Sequence, residues 1–150
     1  MVMNLPFTFP SKIKGDVITS WLTPRTDIRE FLNPRQLVSR YKTAKRLRII
    51  PPNEVGKLAF LNETEKILDS KIEFIEEVMK KEEHDFYFFL ISETDWIQHK
   101  IFVDLVSSGG KLSEEVRQAL RILRKTDDVV KTVVSKNENT DFIILSDLGF

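Results

Sequence analysis

The sequence predicts an α/β domain with a mostly parallel sheet sandwiched by helices. Short apolar runs alternate with long helical patterns, and the last run before the end of the sequence is strand-like. One run, DFYFFLIS, is apolar without alternation, which is typical of a strand covered on both faces. Strand–helix alternation gives parallel strands joined by right-handed crossovers. At 150 residues the chain is expected to form a single domain, residues 1–150.

Composition and charge disfavour two classes of partner. Lys+Arg and Asp+Glu both number 23, so no net field attracts a polyanion, and we expect no nucleic-acid partner. No apolar stretch approaches the ~18 residues of a membrane span, and the first residues lack the pattern of a signal peptide, so we expect no membrane partner. The chain has no cysteine, which excludes disulfides and thiolate metal sites. A cytoplasmic location is the expectation.

The first third of the chain contains three predicted elements. Residues 2–5 form a short strand that ends before a proline. A helix then begins at NPRQLVSRYK, where Asn33 can cap it and Pro34 at the first helical position loses no needed hydrogen bond. Residues 46–50, RLRII, are predicted to form a strand that two prolines stop.

Two long helices are predicted further along. The first covers residues 63–82, with Asn62 and Glu65 as a capping box. Its apolar face is Leu68, Ile72, Ile75 and Met79. The second follows the break at Gly109 and Gly110 and is capped by Ser113. Its inner face is predicted to be Val116, Leu120, Leu123, Val130 and Val134.

Two strands and two acidic residues locate a candidate site. Asp95 follows the predicted strand 86–91, and Asp147 follows the predicted strand 142–145. Ligands of such sheets bind beyond the carboxyl ends of the strands. Asp95 and His99 are four residues apart, which puts a carboxylate and an imidazole on one helix face, able to bind a divalent metal. A helix-capping role is the alternative for Asp95.

Charge is distributed unevenly along the chain. Residues 24–48 are rich in Arg and Lys, whereas residues 62–85 are dominated by acids. Solvated helix faces explain this distribution most simply. The alternatives are a rim that attracts phosphate, or a self-complementary contact in an oligomer.

The quoted motifs resemble a known family. FYFFLISETDWIQHK, followed some forty residues later by DFIILSDLGF, is similar to the type I phosphodiesterase/nucleotide pyrophosphatase branch of the alkaline phosphatase superfamily. That branch has Ser-Glu-Pro-Asp-x-x-Gln-His after one strand and Ser-Asp-His-Gly after another. The amino-terminal stretch NLPFTFPSKIKGDVITSWLTP also resembles the corresponding region of that branch. The resemblance implies that the sheet is a partial alkaline-phosphatase-like core, from the middle of a catalytic domain.

The resemblance also implies a site with two zinc ions. One zinc is held by the Asp and His of the first motif, which Asp95 and His99 match, together with a distant His. The other is held by the second motif, where Asp147 matches the Asp, together with an early Asp and a Thr or Ser nucleophile. Two such metals about 4 Å apart stabilise the attacking and leaving oxygens of a phosphoester.

This sequence departs from the family pattern at several positions. Leu148 replaces the second-motif His. By the resemblance, the nucleophile and its Asp would precede Met1, and the last His would follow Phe150. Only His84 and His99 are present. We therefore expect a truncated or degenerate enzyme, inactive alone, that binds zinc or another divalent metal weakly and has room for a small phosphoester ligand.

Two alternative interpretations stay open. The chain could be a hydrolase that another chain completes or that works with one metal, and Thr8 or Ser146 could replace the nucleophile. It could instead be a non-enzymatic interaction module on the same scaffold. A homodimer is expected in addition, since a segment of a larger sheet leaves a strand edge unpaired.

Overall fold

The computed structural model describes residues 1–20, 22–23, 27–53, 56–81, 84–107, 112–137 and 139–146. It confirms the α/β class: four strands form a mixed, mostly parallel sheet flanked by helices. The strands are β1 Val2–Leu5, β2 Val17–Thr19, β3 Leu32–Asn33 and β4 Phe88–Phe89. The helices are α1 Ile28–Phe31, α2 Leu37–Arg40, α3 Lys57–Lys81, α4 Glu93–Ser107 and α5 Glu114–Lys136, with a 3-10 turn at Thr43–Lys45. None of the helices in these ranges has the length and apolarity needed to cross a membrane.

The sheet has the strand order β3-β2-β1-β4. β1 lies in the middle and pairs in parallel with β2 and with β4, so that Val2 faces Val17 on one side and Phe88 on the other. β3 pairs antiparallel with β2. The carboxyl ends of β1, β2 and β4 therefore lie at one edge of the sheet, which we call the carboxyl edge.

Two apolar clusters build the core. In the first, the sheet packs against α3 and the segment before it, with Met3, Ile18, Phe74 and Val78 fully buried. In the second, α3 packs against α4 and α5 through Leu68, Ile97 and Ile122, among others. The predicted face of α3 is confirmed, because Leu68, Ile75 and Met79 are buried and Ile72 packs against the second cluster.

The helix predicted at residue 33 is corrected. Asn33 belongs to β3 and pairs with Val17, four residues before the next helix begins, so it does not cap that helix. The helix there is α2, which begins at Leu37 after Gln36 and has no side-chain cap. Pairing with β2 thus replaces the helix start predicted at Asn33, because residues 32 and 33 continue the sheet before the chain turns into α2.

The strand predicted at residues 46–50 is also corrected. The segment does bury alternate side chains, Leu47 and Ile49, as a strand would. However, it is not assigned to a strand, and the backbone N–H of Arg48 donates to Ser70 Oγ of α3 at 2.9 Å. The alternating pattern here results from burial of every second side chain against a helix. A strand would also need a neighbouring strand, which this segment lacks among the described residues.

The ends of the long helices differ from the predicted ones. α3 begins at Lys57, so Asn62 and Glu65 lie inside it rather than at a cap, and Glu82 lies outside the described residues. The cap of α5 is confirmed: Ser113 Oγ accepts a hydrogen bond from the Val116 N–H at 3.2 Å. Gly109 and Gly110 lie outside the described residues.

The inner face of α5 is shifted from the predicted one. Val116 is buried as expected, but the other buried aliphatic residues are Ala119, Ile122 and Val129, and Val134 is exposed. The buried residues lie one position away from several of the predicted ones, because aliphatic residues occur as adjacent pairs in this helix. Only contact with α3 and α4 decides which member of each pair faces inward.

The two predicted buried strands are corrected in different ways. The run 86–91 contains β4, but β4 has only two residues, both half-buried, and Phe86 is exposed. β4 is the last strand of the sheet order, so it is an edge strand rather than a central one. The run 142–145 is not assigned to a strand and is exposed, because none of the described strands lies beside it.

Candidate metal centre

The predicted metal ligands lie at the start of α4, next to the carboxyl edge. The chain leaves β4, passes Ser92 and begins α4 at Glu93. The first helical hydrogen bond of α4 runs from the Trp96 N–H to the Ser92 carbonyl, at 3.1 Å. Glu93 and Asp95 stand in the first turn, where negative charge is favourable near the unpaired N–H groups.

Asp95 and His99 face each other as the four-residue spacing predicts. His99 Nε2 lies 3.2 Å from Asp95 Oδ1. Their side chains are 45% and 64% exposed respectively, so both can reach a ligand from solvent. The structure therefore brings together one carboxylate and one imidazole in an open position.

A buried ion pair, which was not predicted from the sequence, lies at the first residue of α4. Lys71 Nζ of α3 lies 2.7 Å from Glu93 Oε1, and both side chains are fully buried. The interaction is electrostatic, because neither the Lys71 ammonium nor the Glu93 carboxylate makes a well-aligned hydrogen bond to another described group. The Lys71 ammonium also lies 5.5 Å from the centre of the Trp96 ring. Trp96 is buried and thus a packing residue.

A sequence signal for this ion pair does exist. Lys71 falls on the apolar stripe of α3, four residues after Ile67 and three before Phe74. A lysine on a buried stripe requires a compensating acid, because an isolated buried charge is very costly. The identity of that acid could not be inferred, since Glu93 is on another helix.

Asn4 links the end of β1 to the start of α4. The Asn4 side chain is fully buried, and its Nδ2 donates to Ser92 Oγ at 2.7 Å and to the Leu90 carbonyl at 3.1 Å. Asn4 has a positive φ of 67°, a conformation that Asn tolerates better than most residues. The contact holds the loop before α4, and with it Asp95, against the sheet.

The second histidine lies at the opposite edge of the sheet. His84 precedes β4, and its Nε2 lies 2.8 Å from Oδ2 of Asp16, which precedes β2. Arg40 pairs with the same carboxylate oxygen. Since parallel strands have their amino ends together, His84 cannot join Asp95 and His99 around one ion.

The described residues do not make a complete zinc site. No three His, Asp or Glu side chains within the described ranges are grouped so that they could hold a metal ion. Catalytic zinc sites use three protein ligands and structural ones four, whereas Asp95 and His99 supply two. Asp147 and Leu148 lie outside the described residues, so the role of Asp147 as a metal ligand stays a prediction.

Of the two hydroxyl groups named as possible nucleophiles, Thr8 is engaged in a turn, whereas the proposal for Ser146 stays a prediction. Thr8 Oγ1 donates to the Leu5 carbonyl at 2.7 Å, which is the contact of a turn threonine. After β2, Thr23 Oγ1 donates to Thr19 Oγ1 at 3.0 Å, and both side chains are buried. These hydroxyls stabilise the loops at the carboxyl edge.

The basic and acidic regions meet within one molecule. Arg46 pairs with Glu73 and Arg48 pairs with Glu63, which joins the segment before α3 to α3 itself. The Glu77 carboxylate accepts hydrogen bonds from the backbone N–H groups of Lys42 and Thr43. These contacts favour an intramolecular role for the charge pattern over a phosphate-attracting rim.

The fold is that of an α/β domain, with the Asp95/His99 pair at the start of α4, next to the carboxyl edge. The chain belongs to the family described as type I phosphodiesterase/nucleotide pyrophosphatase, whose model matches residues 9–150. This confirms the resemblance and the place in the alkaline phosphatase superfamily. The family is typically metal-dependent. No curated protein and no solved structure matches the chain.

Proposed function

We propose that this chain carries one metal half-site of a phosphodiesterase/nucleotide pyrophosphatase domain and does not hydrolyse phosphoesters by itself. The observation that carries this proposal is the Asp95–His99 pair, open to solvent and without a third ligand among the described residues. The pair retains the spacing of the family's first metal motif. It therefore marks where a divalent ion would bind.

Two arguments support the lack of activity. Two-metal phosphoester hydrolysis stabilises the attacking and the leaving oxygen with separate ions, and each ion needs its own set of protein ligands. The described part of the chain supplies two ligands, and the only other histidine is at the opposite edge. In the sequence, Leu148 stands where the second motif has a His, and a leucine side chain cannot bind a metal ion.

The test is release of nitrophenol from bis-nitrophenyl phosphate by the 150-residue chain with added zinc or manganese. We expect no release above the rate with metal alone. Turnover that both Asp95→Ala and His99→Ala abolish would overturn the proposal. Asp127→Ala is the matched control, because it also removes an exposed carboxylate, but on α5 rather than on α4.

A hydrolase completed by another chain is the second candidate. The exposure of Asp95 and His99 favours it, since ligands from a partner could reach an ion held by this pair. If a second copy of this chain completes the site, the rate per mole of chain should increase with the concentration of the chain. A half-site without a complementing chain gives no activity at any concentration. A cytoplasmic location and a small phosphoester ligand remain predictions.

A further inference from the structure

Residues 142–145 form an exposed apolar run. Phe142, Ile143, Ile144 and Leu145 are 36%, 84%, 69% and 86% exposed. None of the four makes a hydrogen bond to another described residue, and the last backbone contact before them is from the Thr140 N–H to the Asn137 carbonyl. Burial of such residues is favourable, and their composition is that of a strand. We call this segment the exposed run.

The sheet has a free edge suited to a strand of this kind. The backbone N–H groups of Phe88 and Leu90 donate to the Met1 and Met3 carbonyls of β1. Backbone groups of successive strand residues point to opposite sides, so those of Tyr87 and Phe89 point away from β1. β4 ends the order of the described strands, so none of these strands lies beside the outward-facing groups.

Neither of the two segments has the features that usually protect an edge. Charged residues, prolines and bulges block strand addition in many proteins. Residues 86–91 and 142–145 contain no charged residue and no proline. Phe86, at the start of the edge segment, is itself exposed. An exposed apolar run and an unprotected strand edge are thus both present among the described residues.

We propose that the exposed run of one copy pairs with the β4 edge of a second copy, which forms a two-fold dimer by strand exchange. Each copy has one exposed run and one β4 edge, so two reciprocal pairings use both runs and both β4 edges, and the assembly closes. The same four residues lie off the sheet of their own chain. This interface is separate from the Asp95–His99 pair, and it does not depend on metal binding.

The first test is the mass of the chain by light scattering behind a sizing column over a micromolar dilution series. We expect a reversible dimer. The double variant Ile143→Pro/Ile144→Pro removes two backbone donors from the exposed run, so the dimer dissociation constant should increase by about ten-fold or more. Because Ile143 and Ile144 are mostly exposed and belong to neither apolar cluster, the variant should fold normally.

Val103→Asp is the matched control. It removes a similarly exposed apolar side chain on α4, 72% exposed, and leaves the exposed run intact. Its dissociation constant should match that of the parent chain. A monomer at every concentration overturns the proposal, and so does a dimer that the two prolines leave unchanged, since that dimer would use another surface.

Cysteine cross-linking distinguishes exchange from pairing within one chain. The chain has no cysteine, so each introduced thiol is unique. A Phe86→Cys chain mixed with a Phe142→Cys or Leu145→Cys chain should form a mixed disulfide, with position 142 favoured by parallel pairing and position 145 by antiparallel pairing. A chain that carries both thiols is the second arm. If at low concentration it forms only the disulfide within one molecule, the exposed run pairs with β4 of its own chain, and the exchange is overturned.

Discussion

Lys71 Nζ and Glu93 Oε1 lie 2.7 Å apart, with both side chains completely removed from solvent. The pair joins the middle of α3 to the first residue of α4, two positions before Asp95. Removal of two charges from water is costly, and their mutual attraction only partly offsets this cost. The pair therefore positions α4 more than it stabilises the fold as a whole.

The first prediction concerns this pair. Lys71→Met or Glu93→Leu alone leaves one buried charge without its partner, so each should lower the free energy of unfolding by about 3–5 kcal/mol. The double variant Lys71→Met/Glu93→Leu removes both charges and should recover most of that loss. Urea unfolding followed by circular dichroism measures all three.

The exposed pair Lys66–Glu63 on α3 provides the control. Lys66→Met should change the free energy of unfolding by no more than about 1 kcal/mol, because solvent screens such pairs. Equal losses for the buried and the exposed substitutions, or no recovery in the double variant, would contradict this account of the pair.

The second prediction is that any metal affinity is weak and centred on Asp95 and His99. Two ligands seldom hold zinc tightly, because the remaining coordination positions stay with water. Calorimetric titration should show micromolar or weaker binding that His99→Ala and Asp95→Asn both remove. His84→Gln, at the opposite edge, should leave the binding heat unchanged. A stoichiometric zinc that survives dialysis against a chelator would be incompatible with a half-site.

The third prediction concerns the acid sensitivity of Glu77. Burial alone would raise the pKa of this carboxyl, but hydrogen bonds from the Thr43 hydroxyl and from the Thr43 and Lys42 N–H groups hold its pKa below the ordinary value. A carboxyl with a lowered folded pKa stabilises the protein above its unfolded pKa. That contribution is lost as the pH falls through the folded pKa.

Glu77→Gln should therefore lower the free energy of unfolding by about 1–2 kcal/mol at neutral pH. The difference from the parent chain should shrink as the pH falls below about 4, where the parent carboxyl also becomes protonated. Urea unfolding across this pH range measures both effects. Glu73→Gln, which disrupts the exposed pair with Arg46, should have little effect at any pH. A pH-independent loss in Glu77→Gln would mean that charge is not the cause.

Local patterns predicted the features that depend on neighbours in sequence. The apolar face of α3 and the Ser113 cap of α5 follow from spacing within a few residues. The Asp95–His99 contact follows from the same helical period. These predictions hold because a helix makes its hydrogen bonds within itself, so its sequence contains most of the information about its form.

The sequence by itself therefore determined the α/β class, the long helices and the position of the Asp/His pair. Tertiary structure decided which apolar runs become strands: residues 46–50 pack against α3, and residues 142–145 stay exposed, because a strand exists only beside another strand. Tertiary structure also decided which charges are buried together. Lys71 meets Glu93 from 22 positions away along the chain, and Asp16 meets His84 from 68 positions away. Contacts at such separations depend on how the helices and strands pack, which no local period encodes.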